Sequence, residues 1–368
     1  MKKKQKKQVS TIFDFLAFCL SEDRAVPKGI EQMDWRALYE FARQQSILGV
    51  VFYGMQRLPA DKVAVPKDVL MQFLAAANQI RQRNVVMYQR SAQVSEQFLK
   101  EGFRNCILKG QGNALMYPDP YVRMSGDIDI WISGGREKVF SFVRKSYPNT
   151  MLRYHHVEYP IYNDVSVEVH FMPFFMNNPF YNHRLQKWFH CEENHQYAHY
   201  VETPDDLGYI PAPTVEFNLV YQLAHIMHHF FDEGIGLRQL MDYFYLMKNE
   251  KCRMKNLQSG GTNLPDVLEH LGLRKFAGAV MYVLQEVFGL EDEYLIVPVD
   301  EWRGKTLLEE ILRGGNFGRY SGLTEHGMAT KYFLKIKRNM RFVRQYPAEA
   351  LCEPLFRTWH FFWRLSHS

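Results

Sequence analysis

The chain has few cysteines, no long apolar run and, outside its first seven residues, no net charge. Its five cysteines (Cys19, Cys106, Cys191, Cys252 and Cys352) lie far apart, and none are paired as C-x-x-C. Such a set builds neither a disulfide framework nor a zinc site and fits reduced thiols, so a cytoplasmic location is expected. No stretch approaches the ~18 consecutive apolar residues of a membrane-spanning helix, and no membrane span is expected. The apolar segment after the basic start is interrupted by Asp14, which argues against a signal peptide. Lys and Arg number 45 against 40 Asp and Glu, a balance of +5, and the five lysines of residues 1–7 account for all of it. The body is therefore neutral. That argues against a surface built to grip duplex nucleic acid, and residues 1–9 read as a basic disordered tail. Nothing repeats internally.

What is present suits a large apolar core. The 368 residues are 46% hydrophobic, with 27 Phe and 21 Tyr, enough for two or three domains. Residues 10–101 read as helical. Ile12, Phe15, Leu16 and Cys19 recur at helical spacing with Thr11 as a candidate cap, and Asp34 caps a second helix. Pro66 opens a long helix to Lys100, whose Gln79, Arg81, Arg83 and Asn84 read as a solvated face. Residues 102–210 alternate short strands (103–108, 127–132, 151–159, 164–171) with helices at 112–117 and 136–146. Residues 174–200, rich in aromatics, Asn and His, show no clear period and read as irregular, on the acceptor side of any site. From Thr214 the chain is helical again, over 214–233, 237–248, 266–288 and 305–313, with loops at 255–264 and 314–327. Residues 330–344 are basic, and 355–365 are strongly aromatic. The expected class is α+β: a small mixed β-sheet flanked by N-terminal and C-terminal helical regions, the latter spanning 211–368.

The segment 107–132 carries the chemistry. After Lys109-Gly110 and a Pro-rich turn it reads Arg123-Met-Ser-Gly126-Asp127-Ile-Asp129-Ile-Trp-Ile. In a strand, Asp127, Asp129 and Trp131 share one face and the isoleucines the other. Two carboxylates ~7 Å apart repel unless a cation sits between them, and Mg²⁺ suits carboxylates and phosphates together. An isolated Asp-x-Asp is usually a solvated strand face. Here an apolar strand contains it, a Lys-Gly turn precedes it, and a second alternating segment, Val165-Ser-Val-Glu168-Val-His170, can bring Glu168 alongside.

This pattern resembles the DNA polymerase beta-like nucleotidyltransferase superfamily. Leu108-Lys109-Gly110-x(3)-Ala114-x(2)-Tyr117-Pro118, then Arg123-x(2)-Gly126-Asp127-Ile128-Asp129, then Glu168-x-His170 is similar to its branch of uncharacterised nucleotidyltransferases. One departure is Lys109-Gly110, where the superfamily usually shows Gly-Ser or Gly-Gly. The resemblance implies transfer of a nucleoside monophosphate from an NTP to a hydroxyl-bearing acceptor (a small molecule, sugar or protein). It also implies two Mg²⁺ ions on Asp127, Asp129 and Glu168, with Glu168 helping to deprotonate the acceptor. Lys109 and Gly110 would meet the phosphates. Arg123 would reach the triphosphate or pair with one of the aspartates, and Gly126 would keep side chains off the metals.

Further candidates stand outside this block. His170 shares the Glu168 face, either contacting substrate or holding a structural hydrogen bond. His225, His228 and His229 share a helical face near Asp232, and Arg238 and Asp242 follow. They would buttress the domains or line the acceptor cleft. The alternatives are a metal-dependent phosphohydrolase centred on these histidines, although a contiguous His-Asp pair is lacking, or a non-catalytic nucleotide-binding module. The sequence identifies neither the base, the acceptor nor the oligomeric state.

Overall fold

The computed structural model describes residues 3–59, 63–253, 258–259, 261–320 and 328–367. Helix α1 (Lys3–Leu20) begins inside the stretch read as a disordered tail, so Thr11 is internal to it rather than a cap. Helix α2 (Trp35–Gln45) starts at Asp34, whose carboxylate accepts the N–H of Ala37, and α3 (Leu48–Gln56) follows after one turn. Helix α4 runs 34 residues from Lys67 to Lys100. Asn84, read as solvated, is instead fully buried on α4. Its amide donates to the carbonyls of Tyr121 and Arg123 and so ties down the loop that leads to the Asp strand.

The sheet is built from β1 (Asn105–Leu108), β2 (Ile128–Ile132), β3 (His156–Glu158) and β4 (Val167–His170), in the order β1-β2-β4-β3. The β2–β4 pair is parallel and the other two are antiparallel, a mixed sheet as expected. Between the strands lie α5 (Gly110–Ala114) and α6 (Gly135–Ser146). One face of the sheet buries Ile128, Ile130, Val167 and Val169 against Val94 and Phe98 of α4 and Val139 and Val143 of α6. That burial fixes the register, because a one-residue slip would turn every aspartate inward. The opposite face carries Asp129, Trp131, Glu168 and His170.

Residues 174–200 are not irregular. Helix α7 (Pro179–Ala198) begins at Asn178, whose side chain accepts the N–H groups of Phe180 and Tyr181, with Pro179 in the first turn. Its buried positions, Leu185, Phe189, Gln196 and Tyr197, form a narrow stripe hidden among polar residues. A β5–β6 hairpin (Tyr200–Glu202, Tyr209–Pro211) leads to α8 (Val215–Asp232), capped by Thr214, and α9 (Leu237–Met247). The Trp131 ring stacks on Phe217 of α8 at 5.8 Å, fastening α8 to the second face of the sheet.

Past α10 (Glu250–Arg253), the described part of the 255–264 loop pairs as β7 (Gln258–Ser259) with β8 (Thr262–Asn263). The helix expected over 266–288 is two helices, α11 (Leu264–His270) and α12 (Arg274–Phe288). They part at Gly272, where φ is +74° and a Cβ would strike the Tyr181 ring. Then come α13 (Glu301–Gly314), α14 (Met328–Met340) and α15 (Pro347–His367). Of the 314–327 connection, 321–327 lie outside the described residues. Helix α1 packs on α3 and α12, so one apolar cluster takes in the first and last helical regions together.

Candidate active site

Strand register brings Asp129 and Glu168 together as direct neighbours across the parallel β2–β4 pair. Side chains on one face of paired strands stand side by side, so the two carboxylates converge at the second face of the sheet. Asp129 is 4% exposed and Glu168 partly exposed. His170, two residues along β4, is 1% exposed, and its Nε2 lies 2.9 Å from Asp129 Oδ1 and 3.7 Å from Glu168 Oε2. Ligand atoms of Asp129, Glu168 and His170 all fall within 4.8 Å of one another. Asp127, just before β2, is exposed at the mouth and is not one of that trio.

Lys109 closes the other side. It takes φ +53° and ψ −134°, a strained backbone for a side-chain-bearing residue, and Gly110 follows at φ +41°. This double turn folds β1 back into α5 and directs Lys109 Nζ to 3.1 Å from Asp129 Oδ2. The helix after it is only five residues long and starts at Gly110, two residues before the expected start.

The charges set the protonation states. Burial alone would keep Asp129 neutral, but Lys109 and His170 outweigh it and hold its carboxyl well below the usual range. Asp129's charge in turn pushes Asp127 up. Partial burial would raise Glu168, yet its close approach to His170 keeps it lowered. Burial works against a charge on His170, and the two carboxylates win, raising it to about 8. At the start of neighbouring β3, burial drives His155, just before the strand, well down and His156 to about 4, so both are neutral imidazoles. His156 Nδ1 sits 3.5 Å from Glu168 Oε2 and 3.2 Å from His155 Nε2. The sequence reading missed this pair. Its signal was present: His156 lies opposite His170 in the β3–β4 hairpin.

The remaining candidates separate. Arg123 faces neither Asp127 nor Asp129. It forms a buried two-point ion pair with Asp242, both contacts 2.7 Å, and Tyr117 Oη donates to the same carboxylate at 2.7 Å. Arg123 and Asp242 thus clamp the loop before β2 to α9. Arg238 instead lines the cleft with Asp127. It donates to the Met124 carbonyl at 2.9 Å, and burial, with Arg123's charge, lowers it to about 10. Gly126 borders the cleft, but a Cβ there would meet no described atom within 4 Å, so the protein itself does not require the glycine.

The α8 histidines do not form one metal centre. His225 Nε2 lies 3.1 Å from Lys109 Nζ and 3.0 Å from His229 Nε2, and His229 Nδ1 lies 2.8 Å from Glu233. His228 instead packs its ring on Phe174 and Phe175. Burial keeps His225 well below its ordinary value and His228 near 3. Asp232 is bonded to Lys335 and Arg357. Among the described residues, the groups able to hold a metal are Asp129–Glu168–His170 and His155–His156–His170, and neither includes an α8 histidine.

A cleft of about 650 Å³ runs over this surface between the sheet, α8 and α15. A second cleft, of about 670 Å³, lies beyond it, and Gly126, Asp127, Glu168, Arg238, Phe317 and Arg319 border both. The model of one family, described as uncharacterised nucleotidyltransferase, matches residues 31–289, over two thirds of the chain. The chain belongs to that family. The matched region contains the whole sheet, Lys109, the three acids and α8, and it ends before α13, α14 and α15. No curated protein and no solved structure gives a significant match.

Proposed function

We propose that the protein is a divalent-metal-dependent nucleotidyltransferase that moves a nucleoside monophosphate from an NTP to a hydroxyl-bearing acceptor. The observation that carries this reading is the Asp129–Glu168 pairing across β2–β4, at the junction of two clefts, in a chain of this family. A transferase must seat two substrates against one set of acids, and two clefts that meet at Asp127 and Glu168 provide that room.

The donor set fits a divalent cation. It holds two ionised carboxylates, and the raised Asp127 marks negative charge not yet compensated. Asp127, Asp129 and Glu168 would hold Mg²⁺, whose chemistry when bound is to neutralise phosphate charge and acidify the acceptor hydroxyl. Arg238 and Lys109 supply the protein's own positive charge to the triphosphate. The acceptor oxygen bonds to the α-phosphorus as the bond to pyrophosphate breaks. The hydroxyl proton passes to Glu168, with neutral His156 behind it. The strained turn at Lys109 and the Arg123–Asp242 clamp hold these groups in place before substrate arrives.

The reading is tested by incubating the purified chain with each α-labelled NTP, with and without Mg²⁺, together with small-molecule and protein fractions. Metal-dependent transfer of label, lost in Asp127→Asn, is expected. Turnover that survives Asp127→Asn but not His228→Ala would instead favour a hydrolase on α8. Nucleotide binding with no turnover would leave a binding module.

A further inference from the structure

Helix α15 has two faces of different character. Glu353, Phe356, Arg357 and His360, at i, i+3, i+4 and i+7, line the cleft. Leu351, Leu355 and Phe362, at i, i+4 and i+11, point outward and are 52%, 71% and 63% exposed, with Trp359 and Phe361 also exposed beside them. Five large apolar side chains this open within twelve residues of one helix form a patch rather than scattered exposure. Helix α14 lies alongside, joined by a 2.6 Å hydrogen bond between the hydroxyls of Tyr332 and Thr358. Its outward residues are Phe333, Lys337 and Met340, followed in the turn to α15 by Arg344 and by Arg341, which pairs with Glu310 of α13 at 3.0 Å. Among the described residues of 330–363, every exposed charge is a cation, because Glu349 and Glu353 are buried.

We propose that the outward face of α14 and α15 docks on an anionic lipid bilayer surface. Aromatic and leucine side chains that protrude, bordered by Lys and Arg and, among the described residues of 330–363, by no exposed acid, match an interfacial layer of acyl chains beneath negative headgroups. A second copy of this chain fits the face poorly. A twofold contact would face Lys337 and Arg344 with the same cations of the other copy and, among the described residues of 330–363, no exposed acid to offset them. The contact is peripheral, since no helix among the described residues is long and apolar enough to cross a membrane. The inner face of α15 lines the cleft, so docking would hold the cleft about one helix diameter, roughly 10 Å, from the headgroups. The proposal stands apart from the transferase reading and is tested without any turnover assay.

The test is co-sedimentation of the full chain with phosphatidylcholine vesicles and with vesicles that also contain phosphatidylglycerol. Binding to the mixed vesicles, weakened by salt, is expected. Leu355→Glu combined with Phe362→Glu should lower the partition more than about tenfold. Lys337→Ala combined with Arg344→Ala should lower it about 30-fold. These side chains are exposed, so thermal melts of the variants should match the parent. Three results would overturn the proposal. One is no binding to either vesicle. Another is binding that both variant pairs leave intact, which would assign it to the lysine-rich start. The third is a concentration-dependent dimer that Leu355→Glu dissolves while vesicles are ignored.

Discussion

The cleft has two walls that differ in charge and in how they are specified. The strand wall presents Asp129, Glu168 and a His170 raised to about 8, and its acids are held ionised. The helix wall presents His225 and His228, both kept neutral by burial. A cation is drawn to the first and not to the second. The histidines looked the more tempting metal ligands by spacing alone. The structure spends His225 on Lys109, His229 on Glu233 and Asp232 on Lys335 and Arg357. A set of metal-binding residue types is therefore not a site until its partners are known.

The sharpest way to break this contrast is Asp129→Asn. It should cut nucleotide transfer by about 10³-fold or more, because it removes a carboxylate that would hold the divalent cation against the reacting phosphate. Arg123→Ala acts on the clamp behind the strand wall. It leaves Asp242 charged and buried, and a loss of about 3–5 kcal/mol in urea unfolding is expected. A near-neutral result would show that the clamp is not what holds the loop.

Glu349 joins α15 to the strand side by accepting the N–H groups of Asn177 and Asn178. Burial raises its carboxyl from 4.5 to about 7 against those bonds. The folded state then holds a proton that the unfolded chain has released, so stability should fall as pH rises from about 4.5 to about 7. The loss should be up to about 3 kcal/mol, read from denaturation midpoints across that window. Glu349→Gln should flatten the slope. His228→Ala, on the neutral wall, should lower transfer less than about tenfold, in keeping with a ring that packs rather than reacts. The smallest effect is expected from Gly126→Ala. A Cβ there meets no described atom within 4 Å, so the melting temperature should not move. Any loss of NTP affinity in that variant would report a phosphate lying against the glycine.

The two walls were not equally legible. On β2 and β4 the two-residue alternation of isoleucine and valine forces the acids to the opposite face, so their convergence could be read directly. The mixed sheet and the flanking helices followed from the same periodicities. Helix α7 was hidden because its buried stripe is narrow and its remaining residues are polar or aromatic. Asn84 and Arg123 were misplaced for another reason. A polar residue on a helix or loop is satisfied equally well by water or by a buried partner, and local sequence does not distinguish the two. The His155–His156 pair went unnoticed because only the hairpin pairing sets it beside His170 and Glu168.

The sequence by itself determined which residues share a face, through the short-range geometry of strand and helix, and with it the acid pair and the family. Tertiary structure decided what each face meets. It gave Arg123 to Asp242 and set Lys109 beside His225, and it placed one side of α15 against the cleft while leaving the other open. Those choices rest on contacts between residues more than a hundred positions apart, where packing and burial of charge, rather than local periodicity, select the partner.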